Sequence, residues 1–134
     1  MSYSNPQTIS YSLGNQDFGA SDDQYIIKGP NGKFGRVREI AAVVTEIFTA
    51  TTTAASVKVG SSGDADAYAI LTFATDAVDD ALTASSGTQS ATRGVNLSEI
   101  PAVSTGAPVY VNTIATTGGS PTGQAEITIT IDWY

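Results

Sequence analysis

Cysteine and histidine are both missing from this 134-residue sequence, and charged residues make up only 14% of it. Without cysteine there is no disulfide framework, no thiolate metal site and no cysteine nucleophile. Without histidine the commonest general base, the usual transition-metal ligand and every Ser-His or Cys-His arrangement drop out. The two absences together remove most enzyme classes and predict a protein without cofactor that does structural or binding work. No run approaches the ~18 apolar residues of a membrane span, and the opening Met1-Ser2-Tyr3-Ser4-Asn5-Pro6 lacks the basic and apolar regions of a secretory signal. A protein made and used in solution, with no membrane partner, is the expectation. Positive charge is scarce as well: six Lys and Arg stand against thirteen Asp and Glu, a net charge of −7. Sequence-independent phosphate binding needs the opposite balance, so nucleic acid is a poor partner.

What is present points to β structure. Hydrophobic residues reach 41%, well away from disordered compositions, and the length suits one domain with one core. The remainder is rich in Thr, Ser, Ala and Gly, which favours short strands and many turns over long helices.

Residues 1–23 are polar with thinly spread apolar residues, and read as an extended arm with an edge strand over Gln7 to Leu13. The domain proper is expected over 24–134. Gln24 to Lys28 is a short strand ended by Gly29-Pro30-Asn31-Gly32, a strong turn signal. From Gly35 to Ala50 both alternating sets are apolar: Ile40, Ala42, Val44 and Phe48 on one, Val37, Ala41, Val43 and Ile47 on the other. This is the pattern of a strand covered on both faces, with a bulge expected near Ala41-Ala42 because so long a strand exceeds the domain's needs. Ala55 to Gly60 and Tyr68 to Thr75 form a predicted hairpin, with Val57 and Val59 inward and Lys58 outward. Thr75 to Ala84 is the one helix candidate, with early aspartates suited to a helix start. Ser85 to Gly94 is a polar loop and Val95 to Ile100 a short strand. Pro108 to Thr116 and Gln124 to Tyr134 read as a closing hairpin, the latter with Ile127, Ile129, Ile131 and Trp133 on one face. Seven or eight strands in all predict a single antiparallel β-sandwich or jelly roll with at most one short helix.

Few constellations carry chemistry. Asp64 and Asp66, two apart in a turn, supply only a fragment of the oxygens calcium requires and lack the Glu of an EF-hand loop, so a solvated turn is the better reading. Asp22-Asp23 and Asp79-Asp80 are explained by loop solvation and helix-start charge. Gly29 to Lys33 lacks the spacing of a phosphate loop. Lys28, Lys33, Arg36 and Arg38 are four of the six cations, packed in an acid-free segment. They suit either docking on an acidic surface or keeping a strand edge solvated. Trp133 and Tyr134 could anchor an oligomer or partner, although Trp133 shares a face with Ile131 and is expected to cap the core beside it.

Three stretches, 29–60, 64–73 and 106–134, with the Gly-Gly-x-Pro-x-Gly turn and the Ile-Asp-Trp-Tyr ending, resemble the small jelly-roll or β-sandwich proteins that decorate the heads of tailed bacteriophages as cement or head-fibre subunits. The resemblance implies a structural virion protein on the outer capsid surface, made in the host cytoplasm. It implies a homo-oligomer, chiefly a trimer, that contacts the major capsid protein and does no catalysis. On this reading Lys28, Lys33, Arg36 and Arg38 face the capsid. The alternative is an adhesin-like or carbohydrate-binding sandwich, which requires exposed aromatics on a sheet face or loop cluster.

Overall fold

The computed structural model describes residues 7–49, 52–74, 76–85 and 103–134, and the description below is confined to these. Alternating apolar and polar residues commit the chain to strands, because a side-chain period of two lets one face of each be buried. Eight result: β1 (Gln7–Asp17), β2 (Asp23–Ile27), β3 (Gly35–Thr49), β4 (Ser56–Gly60), β5 (Ala69–Thr72), β6 (Ala81–Ser85), β7 (Val109–Ile114) and β8 (Thr122–Trp133). They form two four-stranded antiparallel sheets, ordered β1-β8-β3-β6 and β2-β7-β4-β5.

The pairing is nested. β1 pairs with β8, β2 with β7, β3 with β6 and β4 with β5, as in one long antiparallel ribbon folded at its middle. Successive pairs fall in opposite sheets, so the ribbon is rolled up, and β3·β8 and β4·β7 contacts close the two sheets. This is a jelly roll, the expected architecture. Only β4 and β5 are joined as a local hairpin within one sheet.

The predicted closing hairpin is therefore corrected. β7 and β8 lie in different sheets and face each other across the core, with Val109 and Val111 of one and Ile127, Ile129 and Ile131 of the other all buried. Their alternation is the same whether they pair side by side or stack face to face, so the pattern alone favoured the shorter connection. The loop between them is held on the opposite sheet's connection instead: buried Thr116 donates its hydroxyl to the Thr53 carbonyl at 2.8 Å, and Thr53 bridges Thr117.

The helix candidate also fails. Backbone groups of residues 76–80 bond chiefly to β3, the Val44 amide donating to Asp80, Asp79 to Val44 and Phe48 to Asp76 at 2.9–3.0 Å, while the Asp80 amide closes a single turn on the Ala77 carbonyl at 3.1 Å. Asp79 adopts φ 73°, a conformation Asp tolerates better than most residues. The aspartates cap turns, Asp76 accepting from the Ala74 amide and Asp80 from the Ala77 amide at 2.8 Å. Thr75 and the expected loop and strand over 86–100 lie outside the described residues.

Two further expectations are refined. The edge strand predicted over Gln7 to Leu13 runs to Asp17, so residues 7–17 are a full strand of the sandwich rather than an arm. A register shift between Ser12 and Gly14, with φ 73° at Gly14, bends it. In β3 the irregularities fall at Val37/Glu39 and at Val44/Glu46/Thr49, on either side of Ala41-Ala42. The first shift turns Val37 inward with Ile40, Ala42, Val44 and Phe48, while Val43 and Ile47 remain outward at 44% and 50% exposure. The strand is thus covered on one face only.

Buried side chains fill the space between the sheets, and aromatic groups close its two ends. At one end Phe18, Phe48 and Phe73 pack with ring centroids 4.2–5.5 Å apart. At the other Trp133 lies against Gly29 and Gly35, where a Cβ on Gly35 would come within 2.5 Å of the indole. Its Nε1–H donates to the Tyr11 hydroxyl at 2.9 Å. Buried Gln16 ties the sheets together, accepting from the Tyr25 hydroxyl and donating to the Leu13 carbonyl, both at 2.7 Å.

Candidate functional site

In a jelly roll every second connection lies at the same end, which sorts the charges. The end that holds Trp133 also holds the 28–34 connection and the start of β3, hence Lys28, Lys33, Arg36 and Arg38. The Phe18 end carries Asp17, Asp22, Asp23, Asp76, Asp79 and Asp80, and among the described residues no Lys or Arg lies there. The Trp133 end also carries Asp64 and Asp66 in the β4–β5 connection, so an acidic pole and a pole of mixed charge result.

The four cations do not form one uniform patch. Arg38 pairs with Asp132, Nε to Oδ2 at 3.2 Å, across the outer face of the first sheet, and Asp132 also accepts from the Thr8 hydroxyl at 2.6 Å. The Arg36 guanidinium lies 5.3 Å over the Tyr134 ring, a cation–π arrangement, and its Nε is buried without a hydrogen-bond partner. Tyr134 stacks in turn on Phe34, centroids 6.1 Å apart, held there by reciprocal backbone bonds between the two residues. Lys33 sits half-buried on the turn and Lys28 is exposed at the end of β2. Arg36 and Arg38 are thus engaged with neighbours in the same chain.

Trp133 does not offer its ring to a partner: it is 1% exposed and closes the core. Its inward face follows from the alternation of β8. Tyr134 is the available member of the pair, at 37% exposure. Asp64 and Asp66 lie in the β4–β5 connection, where the Asp64 carbonyl accepts from the Ser61 amide at 2.8 Å and Ser61 Oγ accepts from the Asp64 amide at 3.2 Å. They organise a turn, and among the described residues no group of three metal-ligating side chains comes together.

The outer faces of the two sheets differ. On the first, cross-strand hydroxyls and amides lace β1, β8 and β3: Ser10 with Thr130 at 3.1 Å, Asn15 with Gln124 at 2.8 Å, Thr45 with Asn15 at 2.6 Å, Thr49 with Thr122 at 3.1 Å. Beside this network Val43 and Ile47 of β3, with Val78 in the adjoining connection at 52% exposure, leave apolar surface open to solvent. On the second sheet a groove of about 490 Å³ is lined by Gln24, Lys58, Tyr110 and Asn112, with Ser61 and Ser62 at its rim. Gln24 Nε2 donates to Asn112 Oδ1 at 2.9 Å across β2 and β7, and Lys58 stands opposite Asn112 on β4.

Sequence reasoning placed Lys58 outward but missed the groove. Its residues are spread over three strands and a turn, and the only local signal was the outward position of Tyr110 and Asn112 between the inward Val109, Val111 and Thr113. Behind the same turn, Tyr68 is buried at 8% exposure, and desolvation pushes its hydroxyl pKa upward.

No protein-family model, curated protein or solved structure matches the chain.

Proposed function

We propose that this protein is a structural, non-catalytic subunit that binds the outer surface of a tailed-bacteriophage capsid as a decoration or cement protein, assembled as a homo-oligomer, chiefly a trimer, with the major capsid protein as its partner. The observation that carries the reading is the open apolar surface of Val43 and Ile47 on one outer face of a jelly roll, with Val78 exposed in the adjoining connection. A small sandwich has one interior to fill, and uncovered β-branched residues beside an otherwise hydroxyl-laced face suit contact with further copies of the chain. Jelly rolls recur in viral shells and in lectins, so the surfaces have to choose between these uses. Lys28, exposed at the end of β2, is the cation best placed to meet acidic groups of a shell; Arg38 is spent in part on Asp132 and Arg36 on Tyr134.

Cosedimentation of the purified protein with undecorated heads, together with light scattering at micromolar concentration, tests the proposal. Saturable binding and a trimer mass are expected, and the paired substitution Val43→Ser, Ile47→Ser should yield monomers with native circular dichroism. A monomeric parent that leaves the heads undecorated overturns it. The sugar-binding alternative requires an exposed aromatic on a sheet face, and Tyr110, half-exposed in the second sheet's groove, meets that requirement in part.

A further inference from the structure

We infer that the groove on the outer face of the β2-β7-β4-β5 sheet is a binding site for a carboxylated sugar, with Tyr110 as its stacking platform, the Gln24–Asn112 amide pair as its hydroxyl reader and Lys58 as its carboxylate partner. The inference stands apart from the capsid proposal, which uses the opposite face of the sandwich and the cations at its Trp133 end.

Four observations converge on it. The groove has the volume of a small-ligand site, about 490 Å³, at the low end of the usual range. Tyr110 stands half-exposed at an outward position of β7, beside Ile26 of β2, which is 56% exposed. Its hydroxyl has no hydrogen-bond partner among the described residues. A pyranose has an apolar C–H face and a rim of hydroxyls, and an aromatic ring with a free polar tip matches both. The amides of Gln24 and Asn112 are already fixed by their mutual bond at 2.9 Å. One amide oxygen and one amide nitrogen are thereby spent, leaving Asn112 Nδ2 to donate and Gln24 Oε1 to accept, the paired capacity that vicinal hydroxyls need. Because the amides are oriented before any ligand arrives, less entropy is lost on binding.

The charge of the lining decides the class of sugar. In a chain with a net charge of −7, this groove is lined by one lysine and no carboxylate. Lys58 is only half-exposed, makes no ion pair among the described residues, and stands across from Asn112. An ammonium held at a polar groove without its own counterion favours a ligand that brings one, which makes a uronic or sialic acid the fitting occupant rather than a neutral hexose. The Ser61 and Ser62 hydroxyls at the rim supply further polar contacts.

Calorimetric titration of the full chain with trigalacturonic acid and with 3′-sialyllactose, against maltotriose and lactose as neutral counterparts, tests the inference. At least one acidic sugar should bind, with its neutral counterpart about fivefold or more weaker, a gap of about 1 kcal/mol. Tyr110→Ala should weaken binding about tenfold while circular dichroism and cosedimentation with heads stay as in the parent. Lys58→Met should bring the acidic and neutral sugars to equal affinity. Amide chemical-shift mapping on the parent protein should place the perturbations at residues 24, 58, 61–62 and 110–112, a readout that needs no variant. The inference is overturned if neither acidic sugar binds at about 5 mM, a concentration that reveals even millimolar affinity. Neutral sugars that bind as well as acidic ones, or shifts that map elsewhere, overturn it equally.

Discussion

The two ends of the sandwich are closed by different means. At the acidic end three phenylalanines share the work: Phe48 near the end of β3, with Phe18 and Phe73 in the connections after β1 and β5, are each about fully buried and touch only through apolar faces. At the opposite end one residue does it. Trp133 reaches over Gly29 and Gly35 and hangs its indole N–H on Tyr11. The first solution divides the burial among rings, none of which needs a polar partner. The second concentrates burial, a close approach to two glycines and a hydrogen bond in one side chain; Phe48 also closes on a glycine, Gly123, so what sets the Trp133 end apart is the polar partner its ring requires.

The largest effect expected is from Trp133→Ala, about 3–5 kcal/mol of lost stability in urea unfolding, as for large aromatic truncations in cores. Phe73→Ala should fall in the same range. A Trp133 variant that unfolds at the parent's midpoint would mean that this end is closed by something else. Next is Gly35→Ala, which places a methyl 2.5 Å from the indole and should cost about 1–3 kcal/mol by overpacking. Because the cost arises from one contact, it should shrink in a Trp133→Phe background, and a double-mutant cycle should return coupling of about 0.5 kcal/mol or more. Strict additivity would separate the glycine from the tryptophan.

Tyr11→Phe removes the acceptor of the indole N–H and should cost about 1–3 kcal/mol, the penalty of a buried donor left unpaired; nothing at the phenylalanine end has a counterpart. Replacing Arg38 with Ser at the same end should cost only about 0–1 kcal/mol, because the pair with Asp132 is 62% exposed on the arginine side, and the loss should vanish in high salt. Smaller still at neutral pH is Tyr68→Phe. The folded state holds the Tyr68 proton more tightly than the unfolded chain does, so its contribution is fully present below pH 10.0, the ordinary value, and is lost as the pH rises above it. The phenylalanine variant should flatten that alkaline decline in a pH series of melting curves.

Much of this was legible residue by residue. The face of β8 that carries Ile127, Ile129, Ile131 and Trp133 was read correctly, as were the inward Val57 and Val59, because burial of one face is written into a strand's own alternation. The apolar double face of β3 was read as covered on both sides, whereas Val43 and Ile47 are exposed; a bulge at Val37/Glu39 moves Val37 to the inner set. The run 75–84 reads as helical by composition, yet residues 76–80 bond chiefly to β3 and 81–84 pair with it as part of β6. The groove was invisible, since Gln24, Lys58, Tyr110 and Asn112 are unremarkable until β2, β7 and β4 lie side by side.

By itself the amino-acid sequence determined that this chain is all β, that it has one core, and which face of most strands that core would take, since composition and a period of two act within a few neighbouring residues. Only the tertiary structure decided that β7 and β8 stack across the core rather than pair, that Trp133 comes to rest against Gly29 and Gly35, and that a lysine, a tyrosine and two amides share a groove. Those choices depend on which distant strands bury each other's apolar faces, and a strand's local pattern is the same for every partner that does so.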